Sequence, residues 1–516
     1  MTDQTVPQLI ERVAQRYGSR IAIQEGDLQI SFAELAAQCQ QAARAFIAHD
    51  VQPGDRVAIW APNISEWIIA AIGLQSAGGV LVPLNTRMKG SEAAYILNAS
   101  GAKLLLTVAG FLDIDYPAML AGQQMPALQR MIMLRGASEG CSDWAGFLSA
   151  AGQVPATEAQ ARAAAVDAGD TMDIMFTSGT TGKPKGVITA HGQNLLSFTT
   201  WSNTVGLRAD DNYLVINPFF HSFGYKAGWL AALIQGAKIL PVLTFDLDAV
   251  LEQIQRDKVS MLPGPPTIYQ SLLAHPRRDD YDLSSLRLAV TGAAAVPVEL
   301  VNRMWKELGF ESVVTAYGLT ETCGVVTICR PDDSAETIST TSGKAMPDVE
   351  VKCVDTSGAE VPIGEPGEIC VRGYNVMQGY LDNAAATAEA IDAEGWLHTG
   401  DIGVLDEGGY LRITDRLKDM IISGGFNVYP AEIENAVAAI PDIVQSAAIG
   451  IPDERMGEVV KLFVVKLADS ALTEADLIAW CRDNMANYKV PRQVEFLEQM
   501  PMNASGKILK TALRSG

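Results

Sequence analysis

Short β-branched runs alternate with amphipathic helical stretches up to about residue 330, and this alternation limits the folds open to the chain. Thr5 caps the first helix, with Pro7 in its first turn and Leu9, Ile10, Val13 and Tyr17 at helical spacing. Ser31 and Glu34 form a capping box ahead of Leu35, Cys39, Ala42 and Phe46. Strands are expected at Val57–Trp60, Val80–Pro83 and Lys103–Val108. The most apolar stretch, Trp67–Leu84, is interrupted by Gln75, Ser76 and two glycines, which predicts a buried helix and a strand rather than a membrane span. Ala150–Asp170 reads as a surface helix or linker. The alternation predicts an α/β fold with largely parallel sheets.

From about Lys344 the pattern changes to strands and turns. After Asp415 a compact α+β unit is expected, with Ile433, Val437 and Ile440 on one helical face, strands at Val444–Ile449 and Val459–Leu467, and a helix starting at Thr473 with Asp476 in the reciprocal capping position. A chain of 516 residues exceeds a single core, and the boundary is drawn between 1–415 and 416–516.

A formal net charge of −21 disfavours nucleic acid and anionic membrane surfaces as partners. Seven scattered cysteines without a CxxC pair argue against a disulfide framework and for a reducing cytoplasm. Five histidines with no paired spacing nominate no zinc site. The N-terminus lacks the basic-then-apolar pattern of a signal peptide.

The strongest chemical signal runs from Thr177 to Gly186. Gly179, Gly182 and Gly186 let the backbone turn tightly, so that amide N–H groups can converge on an anion. Ser178, Thr180 and Thr181 add hydroxyls, and Lys183 and Lys185 add charge. Such a turn between the apolar runs Ile174–Phe176 and Val187–Thr189 suits a triphosphate. The P-loop spacing GxxxxGK[ST] is absent, and a strand rather than a helix follows.

Seven further motifs follow in order: Phe219–Gly224 (FFHSFG), Ala316–Thr322 (AYGLTET), Gly367–Gly373 (GEICVRG), Trp396–Asp401 (WLHTGD), Asp415–Asp419 (DRLKD), Ser423–Glu432 (SGGFNVYPAE) and Asn503–Lys507 (NASGK). With the Thr177–Gly186 loop, the chain resembles the adenylate-forming superfamily of acyl-CoA synthetases, peptide-synthetase adenylation domains and beetle luciferases over nearly its whole length. The resemblance implies a large N-terminal AMP-binding domain of αβαβα layers with a β-barrel-like subdomain, and a small mobile C-terminal α+β domain.

It also implies site residues. Tyr317 stacks on adenine beside Gly292, Ala293, Ala294, Ala316 and Gly318; Thr320 meets the adenylate phosphate; Glu321 holds Mg²⁺, with Thr177 beside it. A hard dication needs oxygen ligands, and it offsets the repulsion between a carboxylate and a triphosphate. Asp401, placed in a turn, accepts bonds from the ribose hydroxyls; Arg416 is the second ribose contact, and Ile413 belongs to the same nucleotide set. Lys507 stabilises the adenylation transition state, and His221 joins Thr320, Glu321 and Lys507 as a catalytic residue at the mouth of the acyl pocket.

Thioester formation needs the thiol of coenzyme A to reach the carbonyl that Lys507 guards. The resemblance resolves the conflict by rotating the C-terminal domain about Lys418, which presents Ser423, Gly424, Gly425 and Phe426 to pantetheine. Tyr488-Lys489 is a further candidate for the phosphates of coenzyme A.

Gly224, Gly228, Gly318 and Gly324 are expected to leave volume for a bulky or medium- to long-chain apolar acid. No carboxylate lies between Phe219 and Lys226 to meet a substrate amine, and the sequence ends soon after Lys507 without a carrier domain, so a peptide-synthetase module is disfavoured. Pro83–Arg87, Cys329–Asp333 and Ile413–Pro430 resemble bacterial synthetases that activate the propanoate side chain of degraded steroid rings. The expected function is therefore an acyl-CoA synthetase using ATP, Mg²⁺ and coenzyme A; the alternatives are an aryl-CoA ligase or a luciferase-like enzyme that adenylates without coenzyme A. Its partners are expected to be small molecules, with a second copy of the chain the one protein partner allowed for.

Overall fold

The computed structural model describes residues 4–177, 183–292, 296–423, 426–453, 455–485, 487–502 and 508–514, and only the backbone at Arg416, Lys418, Phe426 and Asn427. By internal packing the chain forms two compact units, one of residues 1–350 with 371–397 and the other of 351–370 with 398–516. This division groups the chain by packing, whereas the sequence reading cut it at one point after Asp415.

Two nine-stranded sheets form the larger unit. In the first, Ser312–Tyr317, Leu288–Thr291, Met261–Pro263, Asn212–Val215, Lys238–Pro241 and Ile21–Glu25 run side by side in parallel. In the second, Thr171–Thr177, Val80–Pro83, Arg56–Trp60, Leu104–Phe111 and Arg130–Arg135 do the same. The parallel centres follow from helical crossovers. The antiparallel departures lie toward the edges, where Lys185–Ala190 pairs with Thr171–Thr177 and then with Gly379–Tyr380.

The local signals act where expected. Thr5 accepts the Gln8 amide at the start of Val6–Tyr17, and Ser31 and Glu34 exchange hydrogen bonds ahead of Phe32–Ala48. The apolar stretch becomes helix Ser65–Ser76, almost wholly buried, then strand Val80–Pro83. Gly73 lets that helix close on Phe32–Ala48, since a Cβ there would lie 2.5 Å from that of Ala42. Behind the site, Trp67 meets Phe219, Tyr225 and Trp229 edge-on, with centroids 5.7 to 5.9 Å apart, and Tyr225 stacks on Trp229 at 4.9 Å. Among the described residues no helix is long and apolar enough to cross a membrane.

The second unit holds the larger part of a sheet ordered Val349–Val354, Gly367–Gly373, Leu397–Leu405, Leu411–Arg416, and a sheet centred on Gly457–Lys466. Helices Pro430–Val437 and Glu474–Asn484 contribute Ile433, Val437, Leu477 and Cys481 to its core. Thr473 and Asp476 form the expected capping box. Ile440 lies beyond the helix end, packed against the same core from the following turn.

Candidate active site

The segment expected to bind phosphate runs between two paired strands. Thr177 stands opposite Lys185, and pairing continues through Gly186↔Phe176 to Thr189↔Asp173. Ser178, Gly179, Thr180, Thr181 and Gly182 lie outside the described residues. The segment's exit is held by Tyr95, whose hydroxyl donates to the Pro184 carbonyl at 3.1 Å. Lys183 is exposed, and Lys185 is half-buried with its Nζ 4.4 Å from the centroid of the Tyr380 ring.

The next site segment begins where strand Ser312–Tyr317 ends. Gly318 allows the chain to double back, because a Cβ would meet the Gly324 carbonyl at 2.3 Å. The turn Thr320–Thr322 is closed by Thr322, whose Oγ1 accepts the Leu319 amide at 3.0 Å, and the Val326 amide returns to the Tyr317 carbonyl at 2.8 Å. Thr320 and Glu321 are thereby presented half-buried at the sheet's end. Gly292 follows strand Leu288–Thr291, the neighbour of the Tyr317 strand; a Cβ on it would lie 3.6 Å from the Ala316 carbonyl, while Ala293 and Ala294 fall outside the described residues.

Glu321 is where these segments meet. Its Oε1 accepts the Tyr380 hydroxyl at 3.0 Å and stands 3.5 Å from Thr177 Oγ1, while its carbonyl accepts the Met377 amide at 2.8 Å. Burial, then the charge of Glu321, pushes the Tyr380 phenol well above its usual range, so the ring stays neutral. The Glu321 carboxylate and the Thr177 hydroxyl together are a hard-donor set that fits Mg²⁺.

The four glycines expected to open pocket volume do something else. A Cβ on Gly224 would lie 2.2 Å from the Asn217 carbonyl, and one on Gly228 3.0 Å from Val215. One on Gly324 would meet Ser222 at 2.9 Å. Neighbouring chain already fills the space each side chain would take, so these glycines permit close packing. His221 is exposed, and its Nδ1 accepts the Phe223 amide at 3.2 Å at the start of the short turn Ser222–Gly224. Cys323 is fully buried and its thiol is pushed up to about 12 by burial, so it offers no thiolate to compete for an activated acyl group.

Two features went unread in the sequence. Asn63 is buried and pins the approach to His221: its Oδ1 accepts the Phe219 amide at 2.8 Å, and its Nδ2 donates to the Val215 and Asn217 carbonyls at 3.1 and 3.0 Å. Lys226 is also wholly buried, with Nζ 3.1 Å from Asp173 Oδ1 and 3.0 Å from Thr189 Oγ1. This pair joins Tyr225–Leu230, broken at Gly228, to both strands of the phosphate-loop hairpin.

In the second unit Asp401 lies within strand Leu397–Leu405 rather than in a turn. Gly400, at φ +69°, supplies a local bend just before pairing with Leu411–Arg416 begins at Asp401, which is how a turn-like motif sits in a strand. Asp401 pairs directly with the backbone of Arg416, and Gly403 with Ile413, so the expected ribose residues face one another on adjacent strands. Asp415 accepts the Ala431 amide at 2.8 Å, at the start of helix Pro430–Val437. Ser423 is buried and pairs with Phe426; Gly424, Gly425 and Lys507 lie outside the described residues, as does the side chain of Lys418. The helix after Lys507, Lys510–Arg514, is fastened by Lys510–Glu434 and Arg514–Asp419 ion pairs, both at 2.8 Å. Lys489 is paired with Glu432.

One group of metal-ligating types also assembles unforeseen, Glu368, Cys370 and His398, with ligand atoms within 4.8 Å of one another. The shortest separation, 2.9 Å between His398 Nδ1 and Glu368 Oε2, is that of a hydrogen bond.

Comparison with known proteins agrees with this geometry. Residues 10–381 match the model of the AMP-binding enzyme family, and residues 432–507 that of the AMP-binding enzyme C-terminal domain. A 3-[(3aS,4S,7aS)-7a-methyl-1,5-dioxo-octahydro-1H-inden-4-yl]propanoyl:CoA ligase of Rhodococcus jostii is 49% identical over 100% of this chain and 99% of its own length. A ligase of the same name from Mycobacterium tuberculosis is 48% identical, covering 99% and 98%. Among solved structures, ATP-bound MatB from Rhodopseudomonas palustris superposes with a TM-score of 0.86 at 29% identity, covering 100% of this chain and 99% of that one. Tyr317–Glu321 and the hairpin that meets it at Thr177 thus stand in a matched scaffold, and the chain belongs to the AMP-binding enzyme family.

Proposed function

We propose that this protein is an ATP-dependent carboxylate–CoA ligase whose acid is a bulky propanoate carried on a fused-ring remnant of a steroid. The observation that carries the activity is the convergence of Thr177, Glu321 and Tyr380 at the end of the phosphate-loop hairpin, with Lys185 on the same ring. The acid is supported by the two relatives at 49% and 48% identity, both named as ligases of an indane-dione propanoate.

In the first half-reaction a carboxylate oxygen of the substrate attacks the α-phosphorus of ATP. The α–β phosphoanhydride bond breaks, and pyrophosphate leaves with its electron pair. In the second, the sulfur of coenzyme A attacks the acyl carbon, the bond to AMP breaks, and the thiol proton passes to solvent. Glu321 and Thr177 would hold Mg²⁺, which offsets phosphate charge when bound. Lys183 and Lys185 supply fixed cations to the polyphosphate, and Tyr317 offers its ring to adenine. Lys507 supplies an ammonium to the crowded phosphorus, which serves adenylation alone. Alternation of the C-terminal segment about Lys418 would free the acyl carbon for pantetheine, guided past Gly424-Gly425.

The test is a panel of carboxylic acids containing indane-dione propanoates, aryl acids and fatty acids, assayed for AMP release with and without coenzyme A. The expected result is the highest kcat/KM for the fused-ring propanoate, with AMP release dependent on coenzyme A. Highest turnover of a cinnamate-type acid would make this an aryl-CoA ligase, and ADP as product would remove the chain from this chemistry.

A further inference from the structure

The strand that carries Asp401 is fastened to its neighbour in an unusual way. A strand amide ordinarily donates to a carbonyl of the adjacent backbone. Here the Gly400 amide donates to a side chain, Glu368 Oε1, at 3.0 Å. The next amide, of Asp401 itself, donates to Thr399 Oγ1 at 3.1 Å, and the Thr399 hydroxyl donates to the Ile369 carbonyl at 2.7 Å. The other Glu368 oxygen accepts His398 Nδ1–H at 2.9 Å, with Cys370 Sγ 3.5 Å from the same nitrogen. The three residues preceding Asp401 are all secured to strand Gly367–Gly373.

The conformation of Gly400 explains why this matters. At φ +69° it occupies the left-handed region while a Cβ there would meet nothing within 4 Å, so glycine is called for by the backbone conformation and not by crowding, and that conformation is held by hydrogen bonds such as the one to Glu368. The direction of Asp401, which is only 6% exposed, is then set in part by the groups that grip the peptides before it, in addition to its pairing with Arg416. Glu368 grips one of them with a charged acceptor, the stronger kind of hydrogen bond. His398 fixes the rotamer of Glu368.

We propose that Glu368, oriented by His398, is the positioning residue for the ribose-binding carboxylate of Asp401. The inference rests on the ribose role proposed for Asp401. It assigns to the Gly367–Gly373 and Trp396–Asp401 motifs a shared role, the discrimination of a ribonucleotide from its deoxy analogues.

The test measures binding of AMP, 2′-deoxy-AMP and 3′-deoxy-AMP to the full chain by calorimetry. Wild-type protein should prefer AMP, and Asp401→Ala should abolish the preference. Glu368→Ala should cut it by on the order of tenfold, the loss of one charge-assisted positioning bond. Glu368→Gln should keep part of it, because the amide oxygen can still accept the Gly400 N–H, and His398→Ala should fall between. If Asp401→Ala abolishes the preference while Glu368→Ala weakens all three ligands equally, Glu368 merely supports the sheet and the inference is wrong. If Asp401→Ala leaves the preference intact, the ribose role itself fails and the positioning role falls with it. Should Glu368→Ala not fold, as judged by circular dichroism, Glu368→Gln and His398→Ala decide between the same outcomes.

Discussion

Replacing Lys226 with methionine removes a cation that has no contact with solvent and strands the carboxylate it serves. Nζ lies 3.1 Å from Asp173 Oδ1, both side chains are 0% exposed, and Asp173 Oδ2 has no hydrogen-bond partner. At that separation and an effective dielectric near 20, the attraction is about 5 kcal/mol. After the change, Asp173 keeps two neutral hydroxyls, that of Thr189, which donates to Oδ1 at 2.7 Å, and that of the buried Tyr225 beside it, and neither replaces the lost charge. Breaking such a pair from one side costs roughly 3–5 kcal/mol, whereas replacing both partners with neutral groups of similar volume is near neutral. With a urea m-value of about 3 kcal/mol/M for so large a unit, the midpoint of Lys226→Met should fall by roughly 1–2 M, and Lys226→Met/Asp173→Asn should recover most of it. Tryptophan emission reports the transition, and Trp229, which stacks on Tyr225, the neighbour of Lys226, is one of its eight sources. A single-variant cost below about 1 kcal/mol, or a double-variant cost equal to the sum of the singles, would refute the reasoning.

Lys507→Ala should lower acid-dependent pyrophosphate exchange by roughly a hundredfold or more, while a supplied acyl-adenylate is still converted to thioester; equal loss in both half-reactions would remove the role given to Lys507. His191 is buried, its Nδ1 accepts the Val6 amide at 3.3 Å, and burial lowers its pKa to about 4. Its contribution is therefore complete above the unfolded value near 6.5 and is lost as pH falls toward 4, by roughly 3 kcal/mol in all. Denaturant midpoints of wild type and His191→Gln across that window should differ in slope, and parallel profiles would contradict the assignment.

Local chemistry was legible in the sequence wherever a short segment decides its own conformation. Ser31 with Glu34, Thr473 with Asp476, and the break after Ser76 all act within a few residues of themselves. Tyr380 was not legible, because it reaches Glu321 through the pairing of Gly379–Tyr380 with a strand nearly two hundred residues earlier. Lys226 did carry a signal, a lone cation in an apolar helical run, which usually means a buried partner. That partner, Asp173, lies in another apolar run, and periodicity cannot pair the two. The glycines misled because a missing side chain reads as space, and only the structure shows backbone from Asn217 or Gly324 occupying it. Asp401 looked like a turn residue because Thr-Gly-Asp usually is one; the strand persists because Glu368 takes the Gly400 amide.

Tyr380 occupies a place with a consequence of its own. Lys185 rests on its ring face, Glu321 takes its hydroxyl, and burial keeps the phenol protonated. Two opposite charges brought this close without a spacer would pair with each other before any ligand arrived. An uncharged ring that engages both acts as a spacer, so each charge stays available at little cost. On the nucleotide role proposed for these residues, an incoming ligand would displace a ring contact and a single hydroxyl instead of breaking an ion pair.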